Sequence, residues 1–177
     1  MAHINTEPGQ HDFTASAFIL RIDTPEPRLL LHRHKLLGKY LQISGHVELD
    51  ETLWQTIAHE LQEESGYDIS QLKILQPKDS IRNLSDATLH PYPVCINTHS
   101  IYEGHFHTDI EYAFVTTEEP KGKIQPGEST LVRLFTQAEL ASLSNEETYS
   151  NIREIGDFIF DVCLRQWEVV DIHEFQL

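Results

Sequence analysis

Residues 45 to 67, GHVELDETLWQTIAHELQEESGY, decide the fold because they predict a single amphipathic helix with an acidic edge. Glu60, Glu63 and Glu64 are three and four residues apart, so on a helix their carboxylates share one face. At about 100° per residue, the neighbouring arc holds the apolar side chains Leu53, Trp54, Ile57, Ala58 and Leu61. The helix should therefore bury that arc and keep its carboxylates beside the buried seam.

This crowding of negative charge needs a positive partner. Each like-charged pair costs about 0.2 to 0.5 kcal/mol on an isolated helix. A hard divalent cation would offset the repulsion, since Mg²⁺ takes oxygen ligands from carboxylates, water and substrate phosphates. The plain alternative is an acidic, solvated face of a surface helix.

The stretch resembles the Nudix box, G-x5-E-x7-R-E-U-x-E-E-x-G-U, in which U is an apolar or aromatic residue. The positions in register are Gly45, Glu51, Glu60, Leu61, Glu63, Glu64, Gly66 and Tyr67. One position departs, because His59 stands where the box has arginine. The resemblance covers roughly residues 13 to 143 and implies a MutT-like Nudix hydrolase, a metal-dependent pyrophosphohydrolase.

The resemblance also implies a role for each matching residue. Glu63 and Glu64 would be the principal ligands of Mg²⁺, or of Mn²⁺, and Glu60 a further ligand or a proton acceptor. Gly45 would form the loop that lets metal and phosphate approach. Which glutamate acts as the general base stays open, because this varies among such enzymes.

A fourth carboxylate is expected from outside the box. The run QPGES before a strand resembles the region where MutT-like members supply it, so Glu128 is the candidate and Glu111 the reserve. An ordinary loop glutamate is the alternative. The cations Arg33, Lys35 and Lys39 lie close together and either face the diphosphate or are solvated loop charges.

His59 makes the site dependent on pH if it replaces the box arginine. It lies four residues before Glu63 and can bind that carboxylate only when protonated or when donating a neutral N–H. Two functions follow from the resemblance: hydrolysis of a nucleoside diphosphate linked to another group, or a catalytically weak or inactive module that binds a nucleotide or sugar nucleotide. The intact glutamates favour the enzyme.

Composition excludes several other classes. The 177 residues are 40% hydrophobic, which suits one domain with a single core. A net charge of −15 argues against a nucleic-acid surface, because such affinity comes mainly from lysine and arginine. Two cysteines are too few for a disulfide framework, and no stretch resembles a signal peptide or a membrane span. We expect a cytoplasmic protein with no membrane partner.

The order of elements predicts an α+β fold, an α/β/α sandwich in which helices cover a mixed sheet. Residues 1–12 should be a flexible leader, residues 13–143 the Nudix domain, and residues 144–177 a C-terminal helix and tail on the same domain. Strands are predicted at 13–22, 28–33, 41–44, 73–75, 94–102, 105–116 and 128–135. The last helix, 145–167, should pack on the domain or pair with a second copy in a homodimer.

Two details of this prediction concern the helix ends and one strand. Asp50 should cap the box helix and Gly66 should end it. In the strand 105–116, side chains alternate between the two faces, and one face carries His105, His107, Asp109 and Glu111. That face could bind a transition metal, but strand residues two apart lie about 7 Å from one another, so a polar sheet surface is expected instead.

Overall fold

One mixed sheet organises the molecule, and a computed structural model describes it for residue 7 and residues 9–175. Two long strands, β1 (Gln10–Arg21) and β7 (His105–Thr116), run parallel along their whole length at its centre. The other strands are β2 (Arg28–Arg33), β3 (Tyr40–Leu41), β4 (Ile43–His46), β5 (Lys73–Gln76), β6 (Cys95–Tyr102), β8 (Val132–Phe135) and β9 (Glu168–Asp171). The predicted mixed sheet is confirmed.

Each central strand changes its outer neighbour midway. The first half of β1 pairs with β4 and the second half with β2, while β7 pairs first with β6 and then with β5. At one end of the sheet β4 and β6 therefore flank the central pair, and at the other end β2 and β5 flank it. Strand β1 begins at Gln10, so Gln10, His11 and Asp12 of the predicted leader belong to the sheet. Residues 1–6 and 8 of that leader lie outside the described part.

The box helix covers one face of the sheet. Helix α1 (Leu53–Glu60) continues as a π-helical turn, Leu61–Ser65, and packs its apolar arc on the strands through Trp54, Ile57 and Leu61. Gly66 ends it in the left-handed region at φ 74°, as predicted. The predicted cap at Asp50 is wrong, because Thr52 caps the helix in a reciprocal pair with Gln55.

Helices α2 (Gln137–Ser142), α3 (Ser150–Phe158) and α4 (Leu164–Gln166) follow β8, with a π-helical turn, Ile159–Cys163, joining the last two. The side chains of Leu140, Ile152 and Ile159 form a second core with the opposite face of the sheet. The last helix begins at Ser150 and not at Asn145. The preceding segment is tied to β3, since Tyr40 N donates to Glu147 O at 2.7 Å and Thr148 Oγ1 donates to Tyr40 O at 2.7 Å.

The segment after α4 shows no clear sequence pattern, and in the structure it forms strand β9 beside β5. Short 3₁₀ turns occupy Ile69–Gln71 and Ile172–Glu174. Cys95 and Cys163 are both free thiols. Within the described residues, no helix has the length and apolar character needed to cross a membrane.

Candidate active site on the box helix

Glu60 is held in a buried niche where the box helix meets β4. Its side chain is almost fully buried and packs directly against Gly45, since a Cβ built on Gly45 would lie 1.8 Å from Glu60 Oε1. Only glycine at this position leaves room for the carboxyl group. Burial, together with the nearby carboxyl groups of Glu64, Glu63 and Glu128, raises the pKa of Glu60 to about 9.

Glu64 is fixed by the strand beside it. Its Oε2 accepts a hydrogen bond of 3.0 Å from Ser44 N and lies 3.7 Å from His32 Nε2. Burial raises the pKa of Glu64 to about 8 although the Ser44 N–H opposes the shift. Burial also lowers the pKa of His32 to about 4, with His34 contributing, so His32 is a neutral neighbour near pH 7.

Glu63 is the most exposed of the three box-helix carboxylates and pairs with the residue that departs from the box. His59 Nε2 lies 3.1 Å from Glu63 Oε1, and His59 Nδ1 lies 3.4 Å from Glu51 Oε1. Thr56 Oγ1 donates to the other oxygen of Glu51 at 2.9 Å. The histidine thus bridges two acidic residues, where the resemblance would place an arginine.

A loop brings Glu128 toward the same carboxylates. Two backbone hydrogen bonds tie this loop to the end of the helix, Gly122 N to Gly66 O at 2.9 Å and Gln125 N to Glu63 O at 2.8 Å. Glu128 follows directly and is half-buried. Its charge contributes to the raised pKa of both Glu60 and Glu64, so it lies within their electrostatic reach.

The three predicted cations have different surroundings. Lys35 Nζ donates to Gly127 O and so contacts the loop that carries Glu128. Arg33 Nε donates to Gly38 O at 3.1 Å, and Lys39 Nζ donates to Asn145 O above the ring of Tyr149. Lys35 is therefore the cation that the fold places beside the site.

Glu111, the reserve candidate, lies on the other face of the sheet. It pairs in register with Ser16, is 1% exposed, and accepts a hydrogen bond of 3.1 Å from Asn97 Nδ2. Asp109, two residues earlier, accepts two from Ser16 Oγ at 2.8 and 2.9 Å. The structure thus brings Glu60, Glu63, Glu64 and Glu128 together and leaves Glu111 elsewhere.

A cavity of about 550 Å³ opens next to Glu51. Its walls are mostly apolar and come from β1, the segment before α1, and strands β6 and β7. They include Phe13, Val47, Leu49, Leu53, Ile96 and Ile110. No sequence motif indicates this cavity, because its walls come from segments far apart in the chain.

The donor atoms around Gly45 fit a hard divalent cation. The four carboxylates offer oxygen ligands, which suit Mg²⁺ or Mn²⁺ better than a thiophilic ion. The raised pKa values of Glu60 and Glu64 show that negative charge is unfavourable here until a cation accompanies it. Glu60, Glu63, Glu64 and Glu128 are the residues that could hold such an ion.

Comparison with known proteins adds an independent finding. The NUDIX domain family matches residues 12–154 of this chain. A hydrolase of the NUDIX family from Clostridium perfringens is 27% identical, with a TM-score of 0.66, over 84% of this chain and 97% of its own. Among curated proteins, none matches.

More distant structures share the fold. A NUDIX hydrolase from Nitrosomonas europaea is 16% identical with a TM-score of 0.62, over 95% of this chain and 97% of its own. The NUDIX domain of Shewanella oneidensis NrtR, in complex with ADP-ribose, is 13% identical with a TM-score of 0.60, over 85% of this chain and 89% of its own. At these identities the likeness concerns the fold alone.

Proposed function

This chain belongs to the Nudix hydrolase family, and on that premise we propose that it hydrolyses the phosphate–phosphate linkage of a nucleoside diphosphate linked to another group. The predicted enzyme class is confirmed by the family, whereas the substrate, the ion and the site residues are the proposal. The observation that carries it is the packing of buried Glu60 against Gly45, with Glu63, Glu64 and Glu128 around it.

Mg²⁺ or Mn²⁺ would be held by Glu60, Glu63, Glu64 and Glu128. When bound, such an ion would offset charge on the phosphoryl oxygens and lower the pKa of a bound water, so that hydroxide can attack phosphorus near neutral pH. The chain's own contribution is to orient the carboxylates. Ser44 N–H fixes one oxygen of Glu64, Gly45 admits Glu60, and His59 holds Glu63.

Proton transfer needs a carboxylate beside the attacking water. Glu60 and Glu128 are the candidates, because one is buried behind the cluster and the other arrives on a separate loop. Lys35, which binds the loop next to Glu128, is placed to meet a phosphate approaching from solvent. A phosphate in this position would contact both the segment that carries Lys35 and the loop that carries Glu128, which the fold already holds together.

The organic part of the substrate would occupy the cavity beside Glu51. A volume of about 550 Å³ lies in the usual range for small-molecule sites, and apolar walls are typical of them. Exposed apolar side chains at its rim, Phe13 and Ile96, offer surfaces for a base or another flat group.

The alternative is binding without cleavage. The ADP-ribose complex of the NrtR domain shows that a protein of this fold binds such a nucleotide derivative, and His59 departs from the box at a position next to the cluster. A pure binding module has no evident need for repelling carboxylates, so hydrolysis is the stronger proposal.

Phosphorus NMR of purified protein tests this proposal. The protein would be incubated with Mg²⁺ and a panel of nucleoside triphosphates, dinucleotides and sugar nucleotides, beside the double variant Glu63→Gln, Glu64→Gln. We expect cleavage between two phosphorus atoms in at least one substrate and its loss in the variant. Undiminished cleavage in the variant would contradict the site, and binding without cleavage across the panel would favour the alternative.

A further inference from the structure

A second cluster of ligand-type side chains lies on the sheet face opposite the box helix. It comprises Asp12 of β1, His46 of β4, and His105 and His107 of β7, and we call it the histidine cluster. Asp12 pairs in register with His107, and His46 pairs with Thr14, two residues beyond Asp12. Because strand side chains alternate, these positions share one face.

Asp12, His105 and His107 converge at their polar tips, and His46 approaches two of them. His46 Nε2 lies 3.2 Å from His107 Nε2 and 3.6 Å from Asp12 Oδ2, and His105 Nε2 lies 3.4 Å from Asp12 Oδ2. One ligand atom from each of Asp12, His105 and His107 lies within 4.8 Å of the other two. The long side chains of His105 and His107 thus approach each other although they are two residues apart on β7, and Asp12 and His46 join them from neighbouring strands.

The three distances of 3.2, 3.4 and 3.6 Å are close to the edge of a small coordination sphere. Four ligands at about 2.0 Å from a tetrahedral Zn²⁺ lie roughly 3.3 Å from one another. The contacts of 3.4 and 3.6 Å from histidine to Asp12 are longer than an ordinary hydrogen bond between charged groups. Imidazole nitrogens with one carboxylate oxygen are ligands that Zn²⁺ and similar ions take readily.

We propose that Asp12, His105 and His107, with His46 as the fourth ligand, form a second metal centre that binds Zn²⁺ or a similar transition ion. This inference goes beyond the proposed function and does not depend on it. Gly45 and His46 are adjacent in the chain but face opposite sides of β4, so the two centres lie on opposite faces of the sheet.

The centre has the character of a structural site. Asp12 is 0% exposed, His105 2% and His46 8%, so little room is left for a substrate to reach the ion. Four protein ligands without an open position are typical of structural zinc. An ion here would join β1, β4 and β7 and should stabilise this end of the sheet by mass action.

Optical titration with Co²⁺ tests the proposal, because tetrahedral Co²⁺ absorbs strongly in the visible range. The full chain, free of any tag and treated with a chelator, should bind one equivalent with a tetrahedral spectrum. His107→Gln and Asp12→Asn should weaken that binding at least tenfold. Zn²⁺ should displace the Co²⁺, and Mg²⁺ in excess should not.

Matched controls separate this centre from its surroundings. His99→Gln changes another histidine, one that pairs with His107 in register and bonds Asn97, and it should leave the spectrum unchanged. The variant Glu63→Gln, Glu64→Gln should also retain it. Circular dichroism checks folding, and half-exposed His107 remains the deciding position if Asp12→Asn does not fold.

Three results would overturn the proposal. If no tetrahedral spectrum appears, the cluster is only a hydrogen-bonded network of histidine and aspartate side chains and binds no ion. A spectrum that survives in His107→Gln places the ion elsewhere. A spectrum lost in the glutamate double variant assigns it to the box helix.

Discussion

The two faces of the sheet collect ionisable side chains in different ways. On one face, the carboxylates of Glu60, Glu63 and Glu64 come from consecutive turns of one helical segment. On the other, the histidine cluster (Asp12, His46, His105 and His107) comes from three strands. The first donor set is all oxygen and the second mostly nitrogen. A single sheet can therefore offer a hard cation and a transition ion separate sites, joined through the adjacent residues Gly45 and His46.

The largest expected effect separates the two faces by activity. Glu64→Gln keeps the shape of the side chain but removes the charge that Ser44 N–H orients. We expect kcat/KM for the diphosphate to fall about a thousandfold, because metal binding supplies several kcal/mol to such transition states. Steady-state kinetics would measure this, with the Co²⁺ spectrum as an internal control that should not change. A fall in kcat/KM of less than tenfold would show that Glu64 is not a ligand needed for catalysis.

Gly45→Ala should have the second largest effect. The new Cβ would lie 1.8 Å from Glu60 Oε1, so the carboxyl group must leave its niche. We expect about a hundredfold loss in kcat, measured beside Ser44→Ala, which keeps the N–H that binds Glu64 and should change kcat less than threefold. Equal activity of Gly45→Ala and the unchanged chain would mean that the position of Glu60 has no part in catalysis.

How much of each cluster can be predicted from the sequence depends on how far apart in the chain its residues lie. The helix spacing alone placed Glu60, Glu63 and Glu64 together, because neighbouring turns are fixed by helix geometry. The histidine cluster needed the register of β1 against β7, which the sequence does not specify. The prediction for the strand face of His105, His107, Asp109 and Glu111 therefore favoured a polar surface, since residues two apart on one strand lie about 7 Å from one another.

The helix ends and the C-terminal part show the same limit, because contacts between residues far apart in the chain cannot be predicted from local sequence. Gly66 was predicted correctly as a helix end, since few residues adopt its backbone angles. The predicted cap at Asp50 was wrong because Thr52, two residues further on, makes a reciprocal capping pair with Gln55. The start of the last helix was missed because contacts of Glu147 and Thr148 with distant Tyr40 decide it. His32 was missed as a neighbour of Glu64 for the same reason.

The buried carboxyl group of Glu60 on the box-helix face should make the stability of the protein depend on pH. The pKa of Glu60 rises from an ordinary 4.5 to about 9 in the folded chain. Above pH 4.5 the unfolded chain releases this proton while the folded chain retains it, so the free energy of unfolding falls as pH rises toward 9. We expect a loss of roughly 1 kcal/mol per pH unit for metal-free protein over this window.

Urea unfolding in the presence of a chelator, from pH 5.5 to 8.5, measures this slope. Glu60→Gln removes one titrating group and should make the slope shallower, while Glu64, whose pKa is raised to about 8, still contributes to it. Mn²⁺ should restore more stability at pH 8.5 than at pH 5.5, because it binds the ionised carboxylates. A metal-free chain that gains stability with rising pH throughout the window would contradict the assignment.

The smallest expected effect concerns His59. Arginine at this position can bind Glu63 and Glu51 at any pH, whereas the histidine donates to both only when protonated. We expect His59→Arg to keep kcat or raise it a few-fold above pH 7, and His59→Gln to lower it by a similar factor. A fall of tenfold or more in His59→Arg would show that the histidine has a role of its own.

Anomalous diffraction from crystals soaked in Mn²⁺ tests the central claim most directly, because it locates the hard cation without reference to activity. We predict a manganese peak among the carboxylates of Glu60, Glu63 and Glu64, beside Gly45. A peak only at the histidine cluster, or no peak near these carboxylates in crystals of protein that cleaves diphosphates with Mn²⁺, would contradict the account.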